Sequence, residues 1–132
     1  MGSFTDYLEK KMLNALFGHD TIVSFTTYFA LFSTAPSDAS GGVEFSFTAN
    51  YARVNFSQMS SATADSRNST TITFGTNTAL GGPWGTASCF AVFDGAAAGA
   101  NMLFWSSLTA AKAIATGDMA QFATGSLTVG LD

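Results

Sequence analysis

Charged residues are scarce in this chain. Only 11% of its 132 residues are Asp, Glu, Lys or Arg, against about a quarter in ordinary soluble domains. The five basic residues are scattered and the formal net charge is −4, so the sequence offers no basic patch that could follow a nucleic-acid backbone. We therefore expect no nucleic-acid partner. The low charge favours a subunit whose surface is neutral or is covered by other subunits of an assembly.

Cysteine and long apolar runs are scarce as well. The one cysteine, Cys89, excludes an intrachain disulfide and suits a reducing cytoplasm. We interpret it as a packing residue of a core or an interface, because free cysteines are commonly buried. The longest apolar stretch, residues 22–32, is too short to span a bilayer and is interrupted by hydroxyl side chains. The charged residues near the start leave no signal-peptide pattern, and we expect no membrane partner.

Catalytic and metal-binding patterns are missing too. His19 is the one histidine, and a metal site normally draws on several ligands in a recognisable arrangement. We interpret His19 as an exposed or capping loop residue. Asp65, Asp94 and Asp118 fall at predicted turns, where aspartate is favoured for backbone reasons. The sequence predicts no enzymatic activity, no catalytic residue, no cofactor and no metal site.

One segment, residues 3–17, has the pattern of a helix. Four apolar residues recur on one face: Leu8, Met12, Ala15 and Leu16. Ser3 or Thr5 can cap its start, and Gly18 is placed to end it. A helix this short is marginal alone, so we expect it to dock on its own fold or on a neighbouring subunit.

The pattern changes to β after residue 20. We predict strands over residues 26–33, 44–48, 52–58, 70–74, 87–93, 102–108, 119–123 and 126–131. Residues 87–93 and 102–105 are apolar on both faces, which is typical of central strands or of strands covered by a second protein. Residues 33–42 and 59–69 are polar and are predicted to be long loops.

These patterns predict an all-β fold. We expect a mainly antiparallel, jelly-roll-like β-sandwich over residues 21–132 and a short amphipathic helix or arm over residues 1–20. The 13 Phe residues supply large side chains for a core and for interfaces. As a less favoured alternative, a surface that binds carbohydrate is lined by aromatic residues: Trp84 and Trp105, with Tyr28 and Tyr51.

Several sequence blocks occur in an order that carries a resemblance. They are SFTDYLEKKMLNALF (3–17), LFSTAP (31–36), YARV (51–54), WGT (84–86), FD (93–94), GANML (99–103) and GD…FATGSL (117–127). With these blocks the chain resembles a family of small bacteriophage virion structural proteins, labelled tail-fibre-like, minor tail or capsid decoration proteins. It departs from them after Leu108, where the expected proline is missing, and over residues 56–69, which have no clear counterpart.

The resemblance implies a non-enzymatic, β-rich and homo-oligomeric component of the virion, assembled in the cytoplasm of the bacterial host. Because the chain has the size of one domain with an arm, our first hypothesis is a capsid decoration (cement) protein. Such a protein would be a homotrimer that stabilises the head shell by binding the major capsid protein or another virion protein. The alternative is a tail-fibre or baseplate-associated structural or adhesion protein that binds host surface glycan.

In either case the arm supplies the predicted partner interface. Its members are the apolar residues of the helical segment: Phe4, Tyr7, Leu8, Met12, Leu16 and Phe17.

Overall fold

The computed structural model describes residues 3–21, 24–39, 41–47, 50–61, 65–78 and 84–130. Its helix is α1 (Asp6–Leu16). Its strands are β1 (Ser3–Phe4), β2 (Tyr28–Thr34), β3 (Val43–Glu44), β4 (Val54–Asn55), β5 (Met59–Ser61), β6 (Asp65–Asn68), β7 (Ile72–Thr76), β8 (Gly85–Phe93), β9 (Met102–Ile114), β10 (Met119–Phe122) and β11 (Thr128–Gly130). The predicted fold class, mainly antiparallel β with one short N-terminal helix, is confirmed. No helix in the described part of the chain is long and apolar enough to cross a membrane.

The largest sheet is antiparallel and has the strand order β1-β9-β8-β2-β3, with β4 also paired to β2. Strand β8 lies between β9 and β2, so the prediction that residues 87–93 form a central strand is confirmed. A second sheet pairs β7 with β10, and a third has the order β11-β6-β5.

Both faces of β2 and β8 are buried. Successive side chains of a strand point to opposite faces, and they divide here between two clusters. The main core contains, from these strands and β7, the residues Phe29, Leu31, Ile72, Phe74, Phe90 and Val92. The opposite face carries a second cluster: Ala30, Phe32, Cys89, Ala91 and Phe93. This two-sided burial explains why the two strands are continuously apolar in sequence.

Helix α1 begins later than the sequence predicts. Thr5 is its N-cap, with an extended backbone and a side chain that accepts the N–H of Leu8. Ser3 and Phe4, predicted as helical, instead pair with β9, because a sheet edge beside them accepts their backbone hydrogen bonds. The helix ends before Gly18, whose φ of 73° lies in the left-handed region that favours glycine, as predicted.

Several predictions for the β region also need correction. The strand predicted over residues 52–58 is limited to Val54–Asn55. Residues 59–69, predicted as a loop, contain β5 and β6, which pair with each other. Their side chains are too polar to show apolar alternation. Strand β9 continues to Ile114, past its predicted end at Leu108. The strand predicted over residues 44–48 is limited to Val43–Glu44 among the described residues.

Strand β9 contains a large bulge. Ala87 pairs with Lys112 and Cys89 pairs with Ser107. Residues 108–111 of β9 therefore lie opposite the single residue Ser88. An insertion of this kind bends a strand and interrupts its pairing, and residues 109–111 are exposed.

Candidate functional site

Arg53 is a buried cation, 7% exposed, that joins three separate segments. Its guanidinium donates to both carboxylate oxygens of Glu44, from Nε to Oε1 (2.8 Å) and from Nη2 to Oε2 (2.7 Å). Its Nη1 donates to the carbonyl oxygens of Gly95 (3.2 Å) and Ala97 (2.8 Å). The guanidinium carbon also lies 3.5 Å from the ring centroid of Phe93. Arg53 thus ties β3 to the end of β8 and to the turn that follows it.

Tyr51 reaches the same carboxylate from the main core. Its hydroxyl donates to Oε1 of Glu44 (3.2 Å) and accepts the N–H of Leu31 (2.9 Å). Burial, followed by the nearby charge of Glu44, raises the pKa of Tyr51 well above its ordinary value. The YARV block therefore contributes a tyrosine and an arginine that together hold Glu44. Sequence reasoning found the block but not this role, because Glu44 lies in a different segment.

A cavity of about 540 Å³ lies beside this cluster. Its wall includes Asp6, Asp38, Arg53, Phe93 and Asn101. Within the described residues, no group of three or more His, Cys, Asp or Glu is arranged to hold a metal ion. The polar side chains of the Arg53 cluster are engaged with one another and with backbone carbonyls, which is the arrangement of a structural network.

A groove with a volume of about 610 Å³ lies between the C-terminal half of β9 and strand β10. We call it the β9–β10 groove. Its lining includes the buried residues Leu31, Phe74 and Ala87 and the more exposed Leu108, Met119 and Phe122. The lining is therefore largely apolar. The lining also includes two charged residues of opposite sign, Lys112 and Asp118, and the polar residues Thr109, Gln121 and Ser126.

The structure divides the predicted arm interface into two groups. Phe4 packs edge-on against Phe104 of its own chain, at 6.2 Å between ring centroids. Tyr7 and Leu8 are half-buried against the main core. The remaining predicted residues are exposed: Met12 (37%), Leu16 (75%) and Phe17 (70%).

Leu13, 55% exposed, extends this exposed group. Leu13 is not part of the face formed in sequence by Leu8, Met12, Ala15 and Leu16. We call Met12, Leu13, Leu16 and Phe17 the apolar helix end.

The two tryptophans are not brought together. Trp84 is 8% exposed and packs against Tyr51 in the main core, at 5.3 Å between ring centroids. Trp105 is half-buried beside the second cluster, and its Nε1 donates to Asp38 (3.4 Å). Cys89 is buried, as expected of a packing residue, and His19 is exposed.

Residues 3–130 match the protein family described as podophage GP4 fiber I protein gp80. The chain belongs to this family. No curated protein matches it.

Membership of the gp80 family confirms the resemblance to bacteriophage virion structural proteins. A structural fibre family implies a non-enzymatic chain. The match includes α1 as well as the β strands. Among the described residues, the apolar helix end and the β9–β10 groove are two surfaces with exposed apolar side chains.

Proposed function

We propose that this gp80-family chain is a non-enzymatic structural subunit of a phage fibre and that it self-associates as a homotrimer through the apolar helix end. One observation carries the self-association: a helix docked on the β body exposes Met12, Leu13, Leu16 and Phe17 together. The family match over residues 3–130 supports the fibre.

The exposed end of α1 is costly for an isolated chain. No residue of the helix is buried, and most of its apolar surface beyond Leu8 lies open to water. Each Å² of apolar surface removed from water contributes about 25 cal/mol. Contiguous apolar patches on otherwise ordinary surfaces mark protein interaction sites. A neighbouring subunit that covers this end would supply the burial that the chain itself does not.

Fibre and capsid decoration were both hypotheses from the sequence. The family description names a fibre, and this supports the fibre, our second choice from sequence alone. The N-terminal helix serves the same purpose in both proposals, as a connection between subunits. What separates them is the place of the chain in the particle and its number of copies.

Quantitative gel densitometry of purified virions, with the major capsid protein as internal standard, tests the location. We expect a few to a few dozen copies per particle, and gold-labelled antibodies bound at the tail. Hundreds of copies, with label over the head, would contradict the fibre and support capsid decoration.

Light scattering after size exclusion tests the self-association. We expect a trimer for the wild-type chain and a monomer for Leu16→Asp, because a carboxylate would have to be desolvated in the interface. Val43→Asp is a suitable control, since Val43 is 56% exposed on β3, outside the helix. Circular dichroism should show all three chains folded. A monomeric wild-type chain, or equal effects of the two substitutions, would refute assembly through the helix end.

A further inference from the structure

Two apolar surfaces of the chain differ in shape. The apolar helix end is convex and consists of side chains that project from α1 into solvent. The β9–β10 groove is concave, with a volume of about 610 Å³. None of the described residues that line the groove belongs to α1, so the helix of the same chain does not fill it.

The start of α1 and the β9–β10 groove lie at different ends of β9. Strand β1 is antiparallel to β9 and pairs Phe4 with Phe104, after which the N–H of Thr5 donates to the carbonyl oxygen of Leu103. The chain therefore runs away from the groove as it enters α1. The groove is bordered by residues 108–110 and 112–114, in the C-terminal half of β9.

The groove is shaped to receive large apolar side chains. The bulge at residues 108–111 bends β9, and Thr109 and Ala110 leave space that larger side chains would fill. Its floor is buried aromatic and aliphatic surface from Phe74 and Leu31. Helices commonly bind by laying an apolar face into a hydrophobic groove of this kind.

Each of the two surfaces has one positive and one negative side chain beside it. The groove carries Lys112 and Asp118, both exposed. The helix carries the exposed residues Glu9 and Lys10 just before its apolar end. Opposite charges across an interface fix its orientation and disfavour wrong pairings. Glu9 of the helix can pair with Lys112 of the groove, and Lys10 can pair with Asp118.

We propose that the apolar helix end of one copy inserts into the β9–β10 groove of the next copy. This inference rests on the proposed self-association and names the receiving surface. A threefold ring needs two different complementary surfaces on every subunit, whereas a twofold dimer uses one surface twice. The chain carries such a pair of different surfaces.

The apolar helix end is large enough to form the centre of an interface, though not the whole of it. The apolar helix end exposes on the order of 400 Å², within the range of the largest apolar patches on proteins. A stable interface uses about 800 Å² from each partner. The helix end therefore supplies the apolar centre of the interface, and the charged residues around the groove supply its polar rim.

Cysteine cross-linking between copies tests this arrangement. Leu16→Cys places a thiol on the helix end, and Met119→Cys places one at the groove, where Met119 is 56% exposed. Val43→Cys is a matched control, since Val43 is also 56% exposed and does not line the groove. The native Cys89 is buried and stays in all variants, with the wild-type chain as its own control. Variants are mixed, dissociated by dilution, reassociated and treated with a short bis-maleimide.

We expect a covalent dimer from the mixture of Leu16→Cys with Met119→Cys, and none from either variant alone. The chain with both substitutions should give covalent trimers. Cross-linking of Leu16→Cys to itself, or equally to Val43→Cys, would overturn the proposal. A wild-type trimer that gives no Leu16–Met119 product would overturn it too, while leaving the proposed self-association standing. A wild-type monomer would refute the self-association itself.

Discussion

The guanidinium of Arg53 and the carboxylate of Glu44 meet through two hydrogen bonds, of 2.8 Å and 2.7 Å. The side chain of Arg53 is 2% exposed and that of Glu44 is 16% exposed, so water screens the attraction between the two charges only weakly. A planar guanidinium matches a carboxylate in this bidentate geometry, which a lysine ammonium does not. The pair holds β3 against the turn after β8 and with it one wall of the cavity beside the second cluster.

Removal of Arg53 should therefore cost much of the stability of the chain. We expect Arg53→Ala to lower the free energy of unfolding by about 3 kcal/mol, because the Glu44 carboxylate is left without its charged partner. Arg53→Lys should recover only part of the loss. Urea unfolding measures both. Arg67→Ala is the control, since Arg67 is exposed on β6, and an equal loss there would contradict the assigned role of Arg53.

The buried side chain of Asn68 makes three hydrogen bonds to backbone groups. Its Nδ2 donates to the carbonyl oxygens of Thr70 (2.9 Å) and Ala123 (2.8 Å), and its Oδ1 accepts the N–H of Leu127 (2.9 Å). The residue is 1% exposed, so Asn68→Ala leaves these groups without partners.

We expect Asn68→Ala to lower the free energy of unfolding by about 3 kcal/mol, since each orphaned buried polar group costs roughly 1–3 kcal/mol. Thermal and urea unfolding report the loss. Asn55→Ala is the matched control, because Asn55 is exposed on β4 and its loss should stay within about 0.5 kcal/mol. Similar values for the two variants would show that the Asn68 contacts contribute little.

The contacts of Arg53 and Asn68 could not be predicted from the sequence. A continuous apolar run predicted the central strand β8, and helical spacing with capping residues predicted the helix and its end at Gly18, because those features are local. The roles of Arg53 and Asn68 depend on residues that the chain brings together from far apart, such as Gly95 and Leu127. The predicted arm interface was a local pattern too, but the contact of Phe4 with Phe104 comes from the pairing of β1 with the distant strand β9.

Gly42 should tolerate substitution less well than its neighbour Gly41. Both have positive φ, 76° and 97°, so an alanine at either position is strained. At Gly42 a Cβ would also lie 2.7 Å from the backbone nitrogen of Pro36 and 2.8 Å from the carbonyl oxygen of Thr34, whereas Gly41 has open space. We expect Gly42→Ala to lose at least about 1 kcal/mol more than Gly41→Ala in urea unfolding. Equal losses would mean that the 35–42 loop moves aside freely.

The raised pKa of Tyr51 predicts a loss of stability in alkali. The folded chain keeps the Tyr51 proton, while the unfolded chain releases it near the ordinary pKa of 10.0. The contribution of the protonated Tyr51 hydroxyl to the free energy of unfolding is fully present below pH 10. It is lost as the pH rises above 10, by at most about 1.4 kcal/mol per pH unit.

Urea unfolding at several pH values between 9 and about 11 measures this loss. The proper control is Tyr51→Phe, which keeps the other titrating groups and removes only this one. The stability of the wild-type chain should fall more steeply with pH than that of Tyr51→Phe. Parallel slopes would contradict the burial of the hydroxyl.

Thr5 should determine whether α1 stays docked. Its hydroxyl accepts the N–H of Leu8 and donates to the carbonyl oxygen of Met102, so one side chain both caps the helix and attaches it to β9. We expect Thr5→Ala to lower the free energy of unfolding by about 1–2 kcal/mol. We also expect faster proteolytic cleavage within residues 6–17, while the β body remains resistant. Thr5→Ser keeps the hydroxyl and should restore most of the protection. If Thr5→Ser is cleaved as fast as Thr5→Ala, the hydroxyl is not what holds the helix, and packing of the threonine methyl group against β9 takes its place.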